Sequence, residues 1–375
     1  MNNNTEAFLG LLKVGLWADV ESTDLRNQGF VDHVDWEEVY RLAEEQSVIG
    51  VVLAGIELSN VKPPQDLLLQ WIGEVQMLEQ QNKAMNKFIA ELIEKMRKSD
   101  IYTLLVKGQG IAQCYEKSLW RACGDVDLYL SDCNYVQAKK TLLPLASFEE
   151  EEDKSLKHIA MTIEEWVVEL HGTLQSKWLP GSVNRMIDKV HYNTFNLGEV
   201  RSWDDNNTKI FLPAPQNDVL FVFTHFLEHF FVGGVGLRQI CDWCRLLWTY
   251  RKNIDRSVLE RSLKEGGLLS EWKTFAALAV EYLGMPEKAM PLYDSAKHWK
   301  NKATKAFSIV MKSGNLGHNK DVSYTKKYPY IISKLISLWN HIRECATLFP
   351  IFPLDTSIVW LKLLCGRLGV LSKGT

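Results

Sequence analysis

Through the first hundred residues, apolar side chains recur every three to four positions with polar ones between them, the spacing of amphipathic helices. The stretch DWEEVYRLAEEQSVIGVVLAGI predicts one helix, with Asp35 as its N-cap and Glu37 and Glu38 at the positive end of the helix dipole. Pro63 and Pro64 break the chain. A long helix is predicted next, where Leu68, Ile72, Val75, Leu78, Met85, Ile89, Leu92 and Met96 keep a period near 3.6. Lys95, Arg97 and Lys98 suit its C-terminus.

The grain changes at Ile101. IYTLLV is short, apolar and followed by glycines, so it reads as a buried strand, and DVDLYL as another. IAMTI and EEWVVELHG continue the style. In the second of these, Trp166, Val168 and Leu170 alternate with Glu165, Val167, Glu169 and His171, as in a half-buried strand. GIAQCYEK and NYVQAKKTLLPL predict short helices after the first two strands. From Asn217 the period returns to helical in DVLFVFTHFLEHFF, LRQICDWCRLLWTYR and EWKTFAALAVEYLG, with a turn at Gly266 and Gly267. A loop-rich basic region and apolar helices from Ile331 to Leu371 follow. The predicted fold class is α+β: an N-terminal helical region (1–99), a small mixed-sheet α/β domain (100–212) and a C-terminal helical domain (213–375).

A length of 375 residues agrees with two or three domains, and 46% hydrophobic with 24% charged residues is ordinary globular composition. A net charge of −3 gives no global attraction to nucleic acid or membrane, so any such contact is local. MNNNTEAFLG lacks the features of a signal peptide, and TSIVWLKLLCGRLGVL, interrupted by Lys362 and Arg367, reads as an amphipathic helix rather than a span. Seven scattered cysteines include one C-x-x-C, Cys241 and Cys244, inside an amphipathic run that predicts buried thiols. Free thiols suit the cytoplasm, the expected location.

The chemistry starts from Asp125 and Asp127. Two residues apart on a strand, they share a face and bring two carboxylates together. Their repulsion is relieved by a cation, and magnesium is the hard, oxygen-seeking ion that leaves positions open for phosphates. Among 46 acidic residues such triplets arise by chance, so the neighbours matter. Gly108 and Gly110 follow a strand and precede a helix, where backbone N–H groups can approach a phosphate, and Lys107 adds charge. Glu169 offers a third carboxylate on another strand. Three acids beside a glycine turn are a layout for metal-assisted nucleotidyl transfer, with two ions clamping the triphosphate and the attacking oxygen.

These residues resemble a known family. LLVKGQGIAQCY, RACGDVDLYL, HIAMTI and VELHG are similar to the uncharacterised nucleotidyltransferase group of the DNA polymerase beta-like superfamily, over roughly residues 85–250. The resemblance rests on Lys107-Gly108, Tyr115, Arg121, Gly124-Asp125-Val126-Asp127-Leu128, His158 and Glu169-Leu170-His171, and on helices carrying His225, His229, Arg238 and Asp242. It implies that Asp125, Asp127 and Glu169 are the catalytic, metal-binding acids for two Mg²⁺ ions, with Mn²⁺ as the alternative. It further implies nucleotide contacts at Lys107, Gly108, Gln109, Gly110 and Arg121, and a cleft lined by Tyr115, His158, His171, His225, His229, Arg238 and Asp242. The substrates implied are a nucleoside triphosphate and an acceptor that is a small molecule, sugar, protein or RNA. Gln109 stands where the wider superfamily has a phosphate-binding serine, which leaves that contact open. Arg121 could instead pair with a carboxylate, and His158 and His171 could be ordinary strand histidines.

Three rival readings remain. HFLEH, His225 to His229, spells H-x-x-E-H, so His225 and His229 could bind zinc with Glu228 as the base of a metallopeptidase and a third ligand from Glu260, Glu265 or Glu271. A glycosyltransferase also uses Asp-x-Asp, but requires a longer βαβ sheet ahead of the motif. A catalytically inactive module would bind phosphate or nucleic acid through Lys297–Lys334, where nine lysines face one acid with Trp299, Tyr324 and Tyr328 interleaved. The bland reading of that stretch is a solvated helix and loop.

Overall fold

The computed structural model describes residues 2–18, 33–59, 61–205, 207–315 and 330–372. Helix α1 (Asn3–Leu16) is capped by Asn2, whose side chain accepts from the Thr5 N–H. Helix α2 (Trp36–Glu45) starts as predicted, with Asp35 accepting from the Glu38 N–H. It does not run on. The chain breaks at Ser47 (φ 54°) and resumes as α3 (Ile49–Leu58). The break accommodates buried Gln46, whose Oε1 accepts from the Leu237 N–H at 2.9 Å, a partner that only the tertiary fold supplies.

Helix α4 (Gln65–Arg97) serves two cores. Leu67, Trp71 and Val75 pack among the other helices, whereas Met85, Phe88, Ile89, Leu92, Ile93 and Met96 pack on the sheet. The sheet then forms from β1 (Leu104–Val106), β2 (Asp125–Tyr129), β3 (Ala146–Glu149), β4 (His158–Ile163), β5 (Trp166–His171), β6 (Val200–Asp205) and β7 (Thr208–Pro213). Their order is β3-β4-β5-β2-β1-β7-β6. The β2–β5 and β1–β7 pairs are parallel and the others antiparallel. Helix α5 (Gly108–Ala112) joins β1 towards β2, and α6 (Asp132–Leu142) leads to β3. Helix α7 (Gly181–Phe195) connects β5 to β6.

The period-two pattern divides the sheet faces. Leu105, Val126, Leu128, Val168 and Leu170 join α4 and α6 in one core. On the opposite side, Leu104, Val106 and Tyr129 join a larger core shared by α1–α3 and the C-terminal helices. Those helices are α8 (Pro215–Val232), α9 (Leu237–Thr249), α10 (Arg256–Gly266), α11 (Leu269–Leu283), α12 (Lys297–Ser313), α13 (Tyr330–Leu348) and α14 (Pro353–Ser372). Aromatic contacts knit α8, α9 and α11 together: Trp243 and Trp272 meet edge-on with centroids 4.7 Å apart, and Phe223 lies 4.8 Å from Trp272. Helix α12 replaces part of the predicted loop-rich region. Ala303, Ala306, Phe307 and Val310 give it a buried stripe at helical spacing that its many lysines hide in a composition-based reading.

Within this helical core, burial and the neighbouring Asp355 carboxylate of α14 push the Glu271 carboxyl up to about 9. Below its ordinary value of 4.5 both folded and unfolded chains hold the proton, and the group leaves stability unchanged. Above that value the unfolded chain releases the proton and the folded chain keeps it, so stability falls as pH rises, by up to about 1.4 kcal/mol per pH unit, until the folded value is passed. Glu271→Gln removes this dependence. It should stabilise the protein at neutral pH by a few kcal/mol in urea unfolding, with an advantage that shrinks towards acid. An advantage that stays constant between about pH 5 and about pH 8 would contradict the assignment.

Candidate active site

With Val126 and Leu128 turned into the α4–α6 core, Asp125 and Asp127 take the other face of β2. In parallel register Asp127 lies beside Glu169 of β5, and in antiparallel register Ala160 and His158 of β4 lie beside Glu169 and His171. Five polar side chains from three strands therefore share one face: Asp125, Asp127, Glu169, His171 and His158. Carboxylate oxygens of Asp125, Asp127 and Glu169 all lie within 4.8 Å of one another.

Charge on this face is partly compensated from within. Lys107 follows β1 with φ 56° and ψ −145°, a backbone strained for any residue but glycine, by about 1–3 kcal/mol. From there its Nζ lies 2.6 Å from Asp127 Oδ1, and His171 Nε2 lies 2.9 Å from the same oxygen. Burial opposes the Lys107 charge, but Asp127, Glu169 and Asp125 outweigh it and hold the ammonium above its usual range. The Asp127 charge, then burial, push the Asp125 carboxyl up. Burial would raise Glu169 as well, yet hydrogen bonds from His158 and His171 hold it well below the usual carboxylate range. His171 is raised: burial works against its charge, but hydrogen bonds to Asp127 and Glu169 prevail.

Facing the acids across a cavity of about 400 Å³ are α7, α8 and α9. Helix α8 supplies His225, Glu228 and His229, and α9 supplies Arg238 and Asp242. Leu179, Val183, Ile187, Phe221, Val222 and Phe226 give that wall an apolar part. Residues 32–284 match the uncharacterised nucleotidyltransferase family. The chain belongs to that family. No curated protein and no solved structure matches it. The matched span is wider than the stretch that carries the sequence resemblance. It holds α2–α11, and hence the whole sheet and both walls of the cleft, while α12–α14 lie beyond it. Membership supports nucleotidyl transfer as the general chemistry and a nucleoside triphosphate as a substrate.

In this chain the glycine segment is the first turn of α5 rather than a turn ahead of it. Gly108 lines the cleft with φ 36°, a conformation that L side chains rarely adopt. Gly110 meets the sheet instead: a Cβ there would come within 2.5 Å of Leu212 Cδ2. The Gln109 side chain is buried away from the cleft and donates to Asn82 Oδ1 at 2.7 Å. Arg121 borders the cavity, but its guanidinium is committed to Asp242, with Nε 3.1 Å from Oδ1 and Nη2 2.5 Å from Oδ2. Tyr115 Oη donates to the same carboxylate at 2.8 Å. Arg238 donates from Nη1 to the Ala122 carbonyl at 2.9 Å, and among the described residues its buried Nε has no hydrogen-bond partner.

The H-x-x-E-H helix faces the acids, and among the described residues no third ligand joins His225 and His229. His225 and His229 stand edge-on, with centroids 4.7 Å apart, and burial followed by the Lys107 charge lowers both, His229 to about 4. Among the described residues neither group able to hold a metal includes His225, Glu228 or His229. The third ligands considered lie elsewhere: Glu260 pairs with Lys264, Glu265 with Lys189, and Glu271 sits against Asp355. Among the described residues a single strand precedes the Asp-x-Asp strand, which does not meet the sheet requirement of a glycosyltransferase. Cys241 and Cys244 are buried free thiols on α9.

Of the basic stretch, Lys300 pairs with Glu281 at 2.7 Å, Lys302 donates to Ser270 Oγ at 3.0 Å, and Lys297, Lys305 and Lys312 are exposed on α12. Lys320, Lys326, Lys327, Asp321, Tyr324 and Tyr328 lie outside the described residues, as does the Lys334 side chain. Among the described residues no helix is long and apolar enough to cross a membrane. Thr173, Ser176 and Asn184 also line the cleft, from the segment after β5 and from α7. Nothing in their sequence context marks them, because only the return of the chain over β5 brings them there.

Proposed function

We propose that the protein is a divalent-metal-dependent nucleotidyltransferase that moves a nucleoside monophosphate from a nucleoside triphosphate to an acceptor hydroxyl, with release of pyrophosphate. The observation that carries this reading is the convergence of Asp125, Asp127 and Glu169 on one sheet face beside Lys107. The donor set fits a hard dication. It is all oxygen, and the mutual repulsion that raises Asp125 is what a cation relieves. Asp125, Asp127 and Glu169 would hold magnesium, or manganese in its place, and such ions neutralise charge on the phosphates.

The chain's own residues do the rest. Lys107 and Arg238 supply positive charge to the triphosphate, and Gly108 leaves room for it. In this reading Arg238 takes the phosphate contact expected of Arg121, which holds Asp242 instead. His225 and His229, kept neutral by burial, present hydrogen-bonding groups rather than charge. The apolar wall from α7 and α8 receives a base or an acceptor and excludes water. The acceptor hydroxyl loses its proton, its oxygen bonds to the α-phosphorus, and the bond to pyrophosphate breaks.

Triphosphates labelled at either the α- or the γ-phosphorus test the reading. With Mg²⁺ and an extract of small molecules as acceptors, α-label should enter a new product while γ-label leaves in pyrophosphate. Transfer of γ-label would point to a kinase instead. Binding of triphosphate with no label transfer would favour the inactive module.

A further inference from the structure

A second group of metal-binding character lies on the same sheet face. His158 and His171 are cross-strand partners on β4 and β5, and Glu169 precedes His171 by two residues, so register directs all three into the cleft. Both imidazoles address one atom: His158 Nε2 is 3.2 Å and His171 Nε2 3.4 Å from Glu169 Oε2. All three ligand atoms lie within 4.8 Å of one another. In a tetrahedral zinc site with bonds of about 2.0–2.1 Å, neighbouring ligand atoms are about 3.4 Å apart. The two nitrogen–oxygen separations are already close to that value.

We propose that His158, Glu169 and His171 form a site for a borderline-soft first-row dication of the zinc class, distinct in donor chemistry from the all-oxygen group of Asp125, Asp127 and Glu169. Imidazole nitrogen favours zinc or cobalt over magnesium, whereas the oxygen group favours the hard ions. Three protein ligands leave a fourth tetrahedral position open to the cleft, the arrangement of an ion that meets substrate rather than one that only braces the fold. His171 Nε2 also touches Asp127 Oδ1 at 2.9 Å, a contact that the bound ion replaces. Glu169 belongs to both groups, so loading one changes the donors left to the other. Metal binding here does not depend on nucleotidyl transfer.

Cobalt(II) added to the full chain tests the site through the intense visible absorption of tetrahedral cobalt. One equivalent should bind with that band, and zinc should displace it. His158 is the safe position to change, because its side chain is 32% exposed. His158→Ala should weaken cobalt affinity at least about tenfold and diminish the band. Asp125→Asn should keep both, while losing label transfer. Absence of the band in the native protein overturns the site. So does a band unchanged in His158→Ala, or one lost in Asp125→Asn and kept in His158→Ala. Label transfer without the band would leave the proposed function standing and remove this site. The band without label transfer would do the reverse.

Discussion

Asp125→Asn should abolish nucleotidyl transfer and leave the metal-free protein as stable as before, or more so; Asp127→Asn should abolish transfer and also destabilise the fold. Each loss of activity should reach at least about a thousandfold, the scale on which preorganised electrostatic groups act. The stability split follows from the partners of each acid. Asp125 is raised chiefly by the Asp127 charge, so the neutral amide removes a repulsion. Asp127 is 2% exposed, and its Oδ1 is met by both Lys107 and His171. Its neutralisation leaves the Lys107 ammonium with only the more distant charges of Asp125 and Glu169, at a cost of about 3 kcal/mol. Urea unfolding in chelator, set beside pyrophosphate release, measures both quantities. Equal destabilisation by the two substitutions would mean that Asp125 is held by a partner rather than repelled. Full activity in either would end the proposed chemistry.

That asymmetry between two aspartates of one motif marks the limit of what the sequence discloses. Period two in DVDLYL and WVVELH is enough to put Asp125, Asp127 and Glu169 on the polar faces of their strands, because Val126, Leu128, Val168 and Leu170 have only the core to go to. Which strands become neighbours is decided by the whole fold, so the register of Asp127 with Glu169 and of His158 with His171 is absent from any local window. The same limit hides the ends of hydrogen bonds. Gln109 looks like a replacement for a phosphate-binding serine until Asn82, 27 residues earlier, is found to hold it. Arg121, expected from the resemblance to meet a phosphate, is committed to Asp242, 121 residues later. In the N-terminal region a continuous apolar period conceals the break at Ser47, because the reason for it, Gln46 reaching the start of α9, is tertiary. Helix α12 is half legible for the opposite reason: a solvated helix is the bland reading of the lysine-rich stretch, but its buried stripe is narrow and its lysines dominate the composition.

Asp242→Ala should cost about 3–5 kcal/mol of folding stability, although Asp242 lies on the far wall from the acids. Asp242, Arg121 and Tyr115 are 3%, 5% and 8% exposed, so water cannot replace the lost carboxylate. The substitution strips the Arg121 guanidinium of both hydrogen bonds and leaves the Tyr115 hydroxyl without its acceptor. It also removes the counter-charge between two arginines, since burial and then the Arg121 charge already hold Arg238 below its usual range. Arg121→Met combined with Asp242→Leu should recover much of the loss, because an apolar pair avoids the desolvation that the ion pair must overcome. What the double variant should not recover is substrate affinity. The Arg121–Asp242 pair ties the segment ahead of β2 to α9, and α9 carries Arg238 into the cleft opposite Asp125. A raised KM for the triphosphate with a restored unfolding midpoint would therefore locate the role of the pair in spacing the two walls. Restored stability with an unchanged KM would confine it to holding the fold together.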